Sequence, residues 1–190
     1  MMKAKIFLLS LAMSGTFAGP ASAMTKAEYD TQKSQASADY KVNRKNCDSL
    51  KGNANDICMS QAKGAEKVAK AELEAQYKPG AKTTRDLAMI KADTAFDIAK
   101  EKCDDLAGNA KDVCVKDAKA VHVKAREDAK VAKVAADTSD SKTEKVSDAR
   151  KDASTETREA NYKAAKARCD SLAGTAQDTC QKEAQAKFGM

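Results

Sequence analysis

Residues 47–58 read CDSLKGNANDIC, residues 103–114 read CDDLAGNAKDVC and residues 169–180 read CDSLAGTAQDTC. The shared pattern, C-D-x-L-x-G-[NT]-A-x-D-x-C, uses all six cysteines at one spacing. An aromatic residue stands seven positions ahead of each first cysteine: Tyr40, Phe96 and Tyr162. Repetition at this level marks one structural unit used three times. Within it, Gly52, Gly108 or Gly174 is placed to take positive φ and end a helix. The next residue, Asn53, Asn109 or Thr175, is a good N-cap for a following helix. Asp56, Asp112 and Asp178 then fall at the reciprocal position of a capping box. Each copy is therefore expected to be the bend of an antiparallel helical hairpin.

The flanks supply six helices in three hairpins, joined by two polar linkers. Thr25-Lys-Ala-Glu28 reads as a capping box opening the first helix, and Pro79-Gly80 closes the second. Thr83 or Thr84 can cap the third. The fourth runs from Ala110 to about Ala136 and fades in Asp137-Thr-Ser-Asp140. Ser141-Lys-Thr-Glu144 is a second capping box, opening the fifth, and the short sixth ends at Gly189. In the second helix the apolar stripe is Ala54, Cys58, Ala62, Ala65, Ala69, Leu73. In the fourth it is Ala110, Cys114, Ala118, Val121, Ala125, Ala129, Ala132, Ala136. Intervals of 4, 4 and 3 make an eleven-residue period, which suits nearly straight helices packed closely through alanine. The fold class expected is all-α: an extended array of three antiparallel hairpins, each pinned by a disulfide.

Composition narrows the rest. Among 190 residues there are 38 alanines, two prolines and no tryptophan. From residue 24 onward only 19 residues are Leu, Ile, Val or Phe, about 11% and below the ~20% at which chains begin to read as disordered. A large core, a parallel-sheet enzyme fold and a β-sandwich are all disfavoured, whereas alanine favours helix.

The N-terminus reads as an export signal. Lys3 and Lys5 precede an apolar run from Ile6 to Ala18, and Ala21-Ser22-Ala23 is a small-residue cleavage site. The expected mature chain begins at Met24, in the periplasm if the source is Gram-negative. Its segments are then 24–79, 80–137 and 138–190, one hairpin each, the last with its linker. No transmembrane segment is expected after cleavage, because the apolar run is too short to span a bilayer and nothing later resembles one.

Six cysteines in an exported chain read as disulfides. The repeat favours Cys47–Cys58, Cys103–Cys114 and Cys169–Cys180. Each hairpin offers two thiols where a structural metal needs four ligands, and C-x-x-C redox spacing is absent. His122 reads as a solvated residue. Asp48, Asp104 and Asp170 read as a solvated face, with no nucleophile motif beside them. No catalytic, cofactor-binding or metal-ligating residue is singled out, and no cofactor is expected. The expected seam contributes little more than a methyl per position, ~0.8 kcal/mol each, so a cystine closing about 12 residues, worth nearly 3 kcal/mol, should decide whether a hairpin persists.

Removing the two signal lysines leaves 32 basic and 28 acidic residues. Lys/Arg-Ala-rich helices resemble linker-histone tails in composition, but here acids are interleaved throughout, and an exported protein meets no chromosome. Clusters such as Lys41-Val-Asn-Arg-Lys45 and Lys163-Ala-Ala-Lys-Ala-Arg168 read as solvated faces with weak attraction for anionic surfaces.

The stretches CDDLAGNAKDVCVKDAKA (103–120) and AEKVAKAELEAQYKPGAKT (65–83) resemble small exported proteobacterial proteins, rich in Ala and Lys, that carry repeated C-D-x-L-x-G-N-A-x-D-x-C hairpins. Some of those proteins are labelled similar to the TolA cell-envelope protein, but neither TolA's retained membrane anchor nor its globular C-terminal domain is expected of this chain. The third copy departs from the pattern at Thr175 and Thr179. The resemblance implies no established activity. The function expected is a non-enzymatic periplasmic cell-envelope or stress-related interaction protein, meeting an envelope protein or an anionic surface. The alternative is weak polyanion or lipid-headgroup binding, or metal buffering.

Overall fold

The computed structural model describes residues 24–136 and 141–190. The expected signal peptide, residues 1–23, and the Asp137–Asp140 linker lie outside the described residues. The described chain forms α1 (Lys26–Cys47), α2 (Asn53–Tyr77), α3 (Ala81–Cys103), α4 (Gly108–Ala135), α5 (Lys142–Cys169) and α6 (Gly174–Phe188). It contains no strand among the described residues. The three cystines pair as the repeat indicates, with Cα–Cα distances of 5.6, 5.7 and 5.7 Å.

Each helix packs only against its neighbours in sequence, so the array grows sideways without a second layer. The hairpins do not stand apart. α2 packs along α3, and α4 along α5, as closely as the helices within a hairpin. A three-residue connection, Lys78–Gly80, is enough to turn α2 into α3. At this seam Gly64 lets the helices approach: a Cβ there would press into the Thr94 methyl. Thr94 is buried, and its Oγ1 has no hydrogen-bond partner among the described residues.

Helix ends follow local chemistry with corrections. Thr25 and Glu28 form the reciprocal capping box. Ser141 does precede α5, but its side chain makes no capping bond. Gly80 sits at the N-cap of α3, and the Thr83 hydroxyl donates to the carbonyls of Lys78 and Gly80 instead of accepting from the helix. The repeat glycines take positive φ, at 57°, 54° and 59°, but do not end the first helix of each pair. Those helices end at the first cysteine, and the glycines sit at the start of the second helix. Asn53, Asn109 and Thr175 consequently lie inside that helix rather than capping it.

The apolar stripes are also corrected. Ala62 and Leu73 are buried as expected, yet Val121 is 70% exposed while its neighbour Ala120 is buried. An inner helix of the array has two packed sides, and a single stripe describes only one. The core is thin. Among the described residues Ala120, Ala160 and Ala164 form its one connected cluster, with Val123 against it, and the largest fully buried side chains are Cys47, Cys103 and Cys169.

Candidate functional site

Successive helices run in opposite directions, so the three cystine bends fall on one edge of the array. Each bend has the same construction. The amide of Leu50, Leu106 or Leu172 donates to the carbonyl of the first cysteine at 2.9, 3.0 and 3.0 Å. That bond tightens the chain after the helix, the glycine then reverses it, and the second cysteine returns to the first. In copy one the Asn55 amide also closes the end of α1 by donating to the Cys47 carbonyl at 2.7 Å. Copies two and three carry Lys111 and Gln177 at that position. Asn53 links bends one and two directly, donating to the Glu101 carbonyl at 2.7 Å.

The fold covers the leucines only in part. They are 42%, 43% and 42% exposed, among the most open large apolar side chains of the described protein. Asp48, Asp104 and Asp170, two positions earlier, are exposed beside them. Asp104 pairs with Lys111 across its bend at 3.0 Å. Taken together, residues 47–58, 103–114 and 169–180 hold seven carboxylates and two lysines. From residue 24 onward, the remainder holds 30 basic and 21 acidic residues. The edge is thus acidic on a basic protein, with one leucine per bend.

His122 is a correction. Its side chain is only 11% exposed, at the α3–α4 seam rather than in solvent. The ring stacks on Phe96 at 4.7 Å, and Nε2 lies 2.6 Å from Asp93 Oδ1. An ionised carboxylate can only accept, so Nε2 carries the proton of that bond. Arg126 reaches both Asp93 oxygens at 2.6 and 2.8 Å. Burial pushes the Asp93 carboxyl upward, and the bonds from His122 and Arg126 outweigh it, leaving the group below its usual range. The arrangement straps α3 to α4.

Tyr40 lines the α1–α2 groove, and Tyr162 is half-buried on α5. An unforeseen clasp, Tyr29 stacked on Tyr77 at 4.7 Å, closes the far end of the first hairpin. The Tyr29 hydroxyl donates to Glu74 at 2.6 Å. Of the basic clusters, Lys163 lies 3.8 Å from Glu159, and Arg168 pairs with Asp117. Among the described residues no group of three His, Cys, Asp or Glu could hold a metal ion, and no helix is long and apolar enough to cross a membrane. Comparison of the chain with protein-family models, with curated proteins and with solved structures returned no match.

Proposed function

We propose that this is a non-enzymatic interaction protein of the cell envelope, exported to the periplasm with residues 1–23 removed, whose cystine edge meets a partner. The observation that carries the reading is the exposed leucine, repeated in all three bends at nearly equal exposure. Cysteine, glycine and the leucine amide explain how each bend is built; the leucine side chain keeps over 40% of its surface open beyond that. Three equivalent apolar points in an acidic setting favour a partner with apolar sockets among basic groups. Three cystines favour an oxidising compartment.

The test is crosslinking in cells with a photoreactive residue at Leu106, with the same residue at Val42, about 7 Å down α1 from the first bend, as an exposed control outside the bends. The reading expects an envelope protein to be captured from position 106, and the capture to be lost when Leu50 and Leu172 become Asp. Equal capture from position 42, or capture indifferent to those two changes, would dismiss the edge as the contact surface.

A further inference from the structure

α6 is 15 residues long, and its partner α5 is 28. With Cys180 joined to Cys169, Phe188 lies eight residues out along α6, level with Asn161, eight residues back along α5. α6 stops there, at Gly189 in a left-handed conformation. The first half of α5 therefore has α4 on one side and an open flank on the other. Along the α4–α5 seam, beside the point where α6 stops, lies a groove of about 730 Å³. Its floor is apolar, with Val131 and Ala132 from α4, Ala153 from α5 and Phe188 at its end.

The rim is cationic. Arg150 and Arg158 are eight residues apart on α5, about 12 Å along the axis, and Ser154 stands between them. The protein has six arginines. Arg85, Arg126 and Arg168 are each held by an aspartate, namely Asp86, Asp93 and Asp117. Arg150 and Arg158 are exposed and have no carboxylate within ion-pairing distance among the described residues. Of the remaining charges on the rim, Lys124 and Asp128 neutralise each other at 2.6 Å. The groove thus presents two uncommitted guanidinium groups above an apolar floor. Guanidinium is the side chain best matched to phosphate oxygens, which it can meet with two parallel hydrogen bonds. Thr157 and Asn161 add a hydroxyl and an amide on the same helix.

We propose that this groove binds the head of an anionic phospholipid: the phosphodiester on Arg150 and Arg158, and the start of the acyl region over Val131, Ala153 and Phe188. The assignment goes beyond the cystine edge and does not depend on it, since the two surfaces share no residue. An acidic lipid fits better than a free phosphate because the floor would otherwise stay wet, and better than a zwitterionic lipid because nothing on the rim is left to take a choline.

The experiment is calorimetric titration of the oxidised protein with dihexanoyl phosphatidylglycerol below its micelle concentration. Dihexanoyl phosphatidylcholine and inorganic phosphate are the comparison ligands. One site per chain is expected for phosphatidylglycerol, with at least tenfold weaker binding of either comparison ligand. The double variant Arg150→Gln/Arg158→Gln should weaken phosphatidylglycerol binding at least tenfold with unchanged helical circular dichroism. Lys41→Gln/Arg44→Gln, which removes the same charge from α1, should change it less than twofold. Equal losses in the two double variants would reduce the effect to net charge and overturn the proposal. So would phosphatidylcholine or phosphate binding as tightly as phosphatidylglycerol. Because Leu106→Asp leaves the groove intact, binding in that variant separates failure of this site from failure of the cystine edge.

Discussion

Asp93 carries more of the α3–α4 seam than its exposure suggests. Its side chain is 44% exposed, yet it accepts from both His122 and Arg126 on the facing helix. Those bonds hold its carboxyl below the ordinary value of 3.8. A carboxyl depressed by folding contributes stability above its unfolded pKa and loses that contribution as pH falls through the folded one. Screening at so open a site limits the effect to about 1 kcal/mol. Urea unfolding followed at pH 7 and near pH 2 should therefore show Asp93→Asn less stable than the parent at pH 7 and nearly equal to it in acid. A constant gap at both values would mean that the carboxylate's charge is not what the seam uses. The sequence contained the pairing, but only once the cystine is known. Phe96 stands seven residues before Cys103 and His122 eight after Cys114; Tyr29 and Tyr77 stand 18 before Cys47 and 19 after Cys58. Counting outward from each disulfide brings both ring pairs opposite each other, as found. Read without that register, His122 looked like an isolated polar residue.

At the scale of a helix, the same sequence signals succeeded where they were local and failed where a helix has two neighbours. Thr25 to Glu28 needs nothing beyond its own turn, and the box forms. The stripe through Ala62, Ala65, Ala69 and Leu73 describes the side of α2 facing α1, where all four line one groove. The side facing α3 turns on Gly64, which belongs to no apolar period and in a helix interior would be read only as a propensity cost. Its reason is the Thr94 methyl across the seam. Gly64→Ala gains about 1 kcal/mol of helix propensity but forces the two helices apart, at a cost of about 1–3 kcal/mol for overpacking. A net loss of about 1 kcal/mol is expected from chemical denaturation. Adding Thr94→Ala removes the obstructing methyl, so the double variant should recover most of that loss. If Gly64→Ala alone stabilises the protein, α2 and α3 are not in close contact at this point.

Across the whole molecule, contacts run only between sequence neighbours, so stability should behave as a chain of nearest-neighbour terms rather than one cooperative core. The cystines then differ in what they hold. α6 touches α5 alone, and Ala184 is its one buried residue. A helix of its length is marginal in water without support, and closing a loop of that size is worth about 3 kcal/mol in the chain-entropy model. α3 and α4 are also supported from outside by α2 and α5, including Lys67–Asp97, Lys91–Glu72 and Arg168–Asp117. That support follows from packing between hairpins, which polar linkers in the sequence did not suggest. Hydrogen exchange on two variants separates these cases. Cys169→Ala/Cys180→Ala should strip protection from α6 while leaving α1 to α4 nearly as in the parent. Cys103→Ala/Cys114→Ala should keep α3 and α4 helical at 25 °C, with faster exchange near the lost cystine. Undiminished protection of α6 in the first variant would mean that the alanine seam suffices without a crosslink. Loss of protection throughout the chain in the second would mean that the array unfolds as one unit. In the graded case each hairpin keeps its place because its neighbours do, and the three leucines stay on one edge.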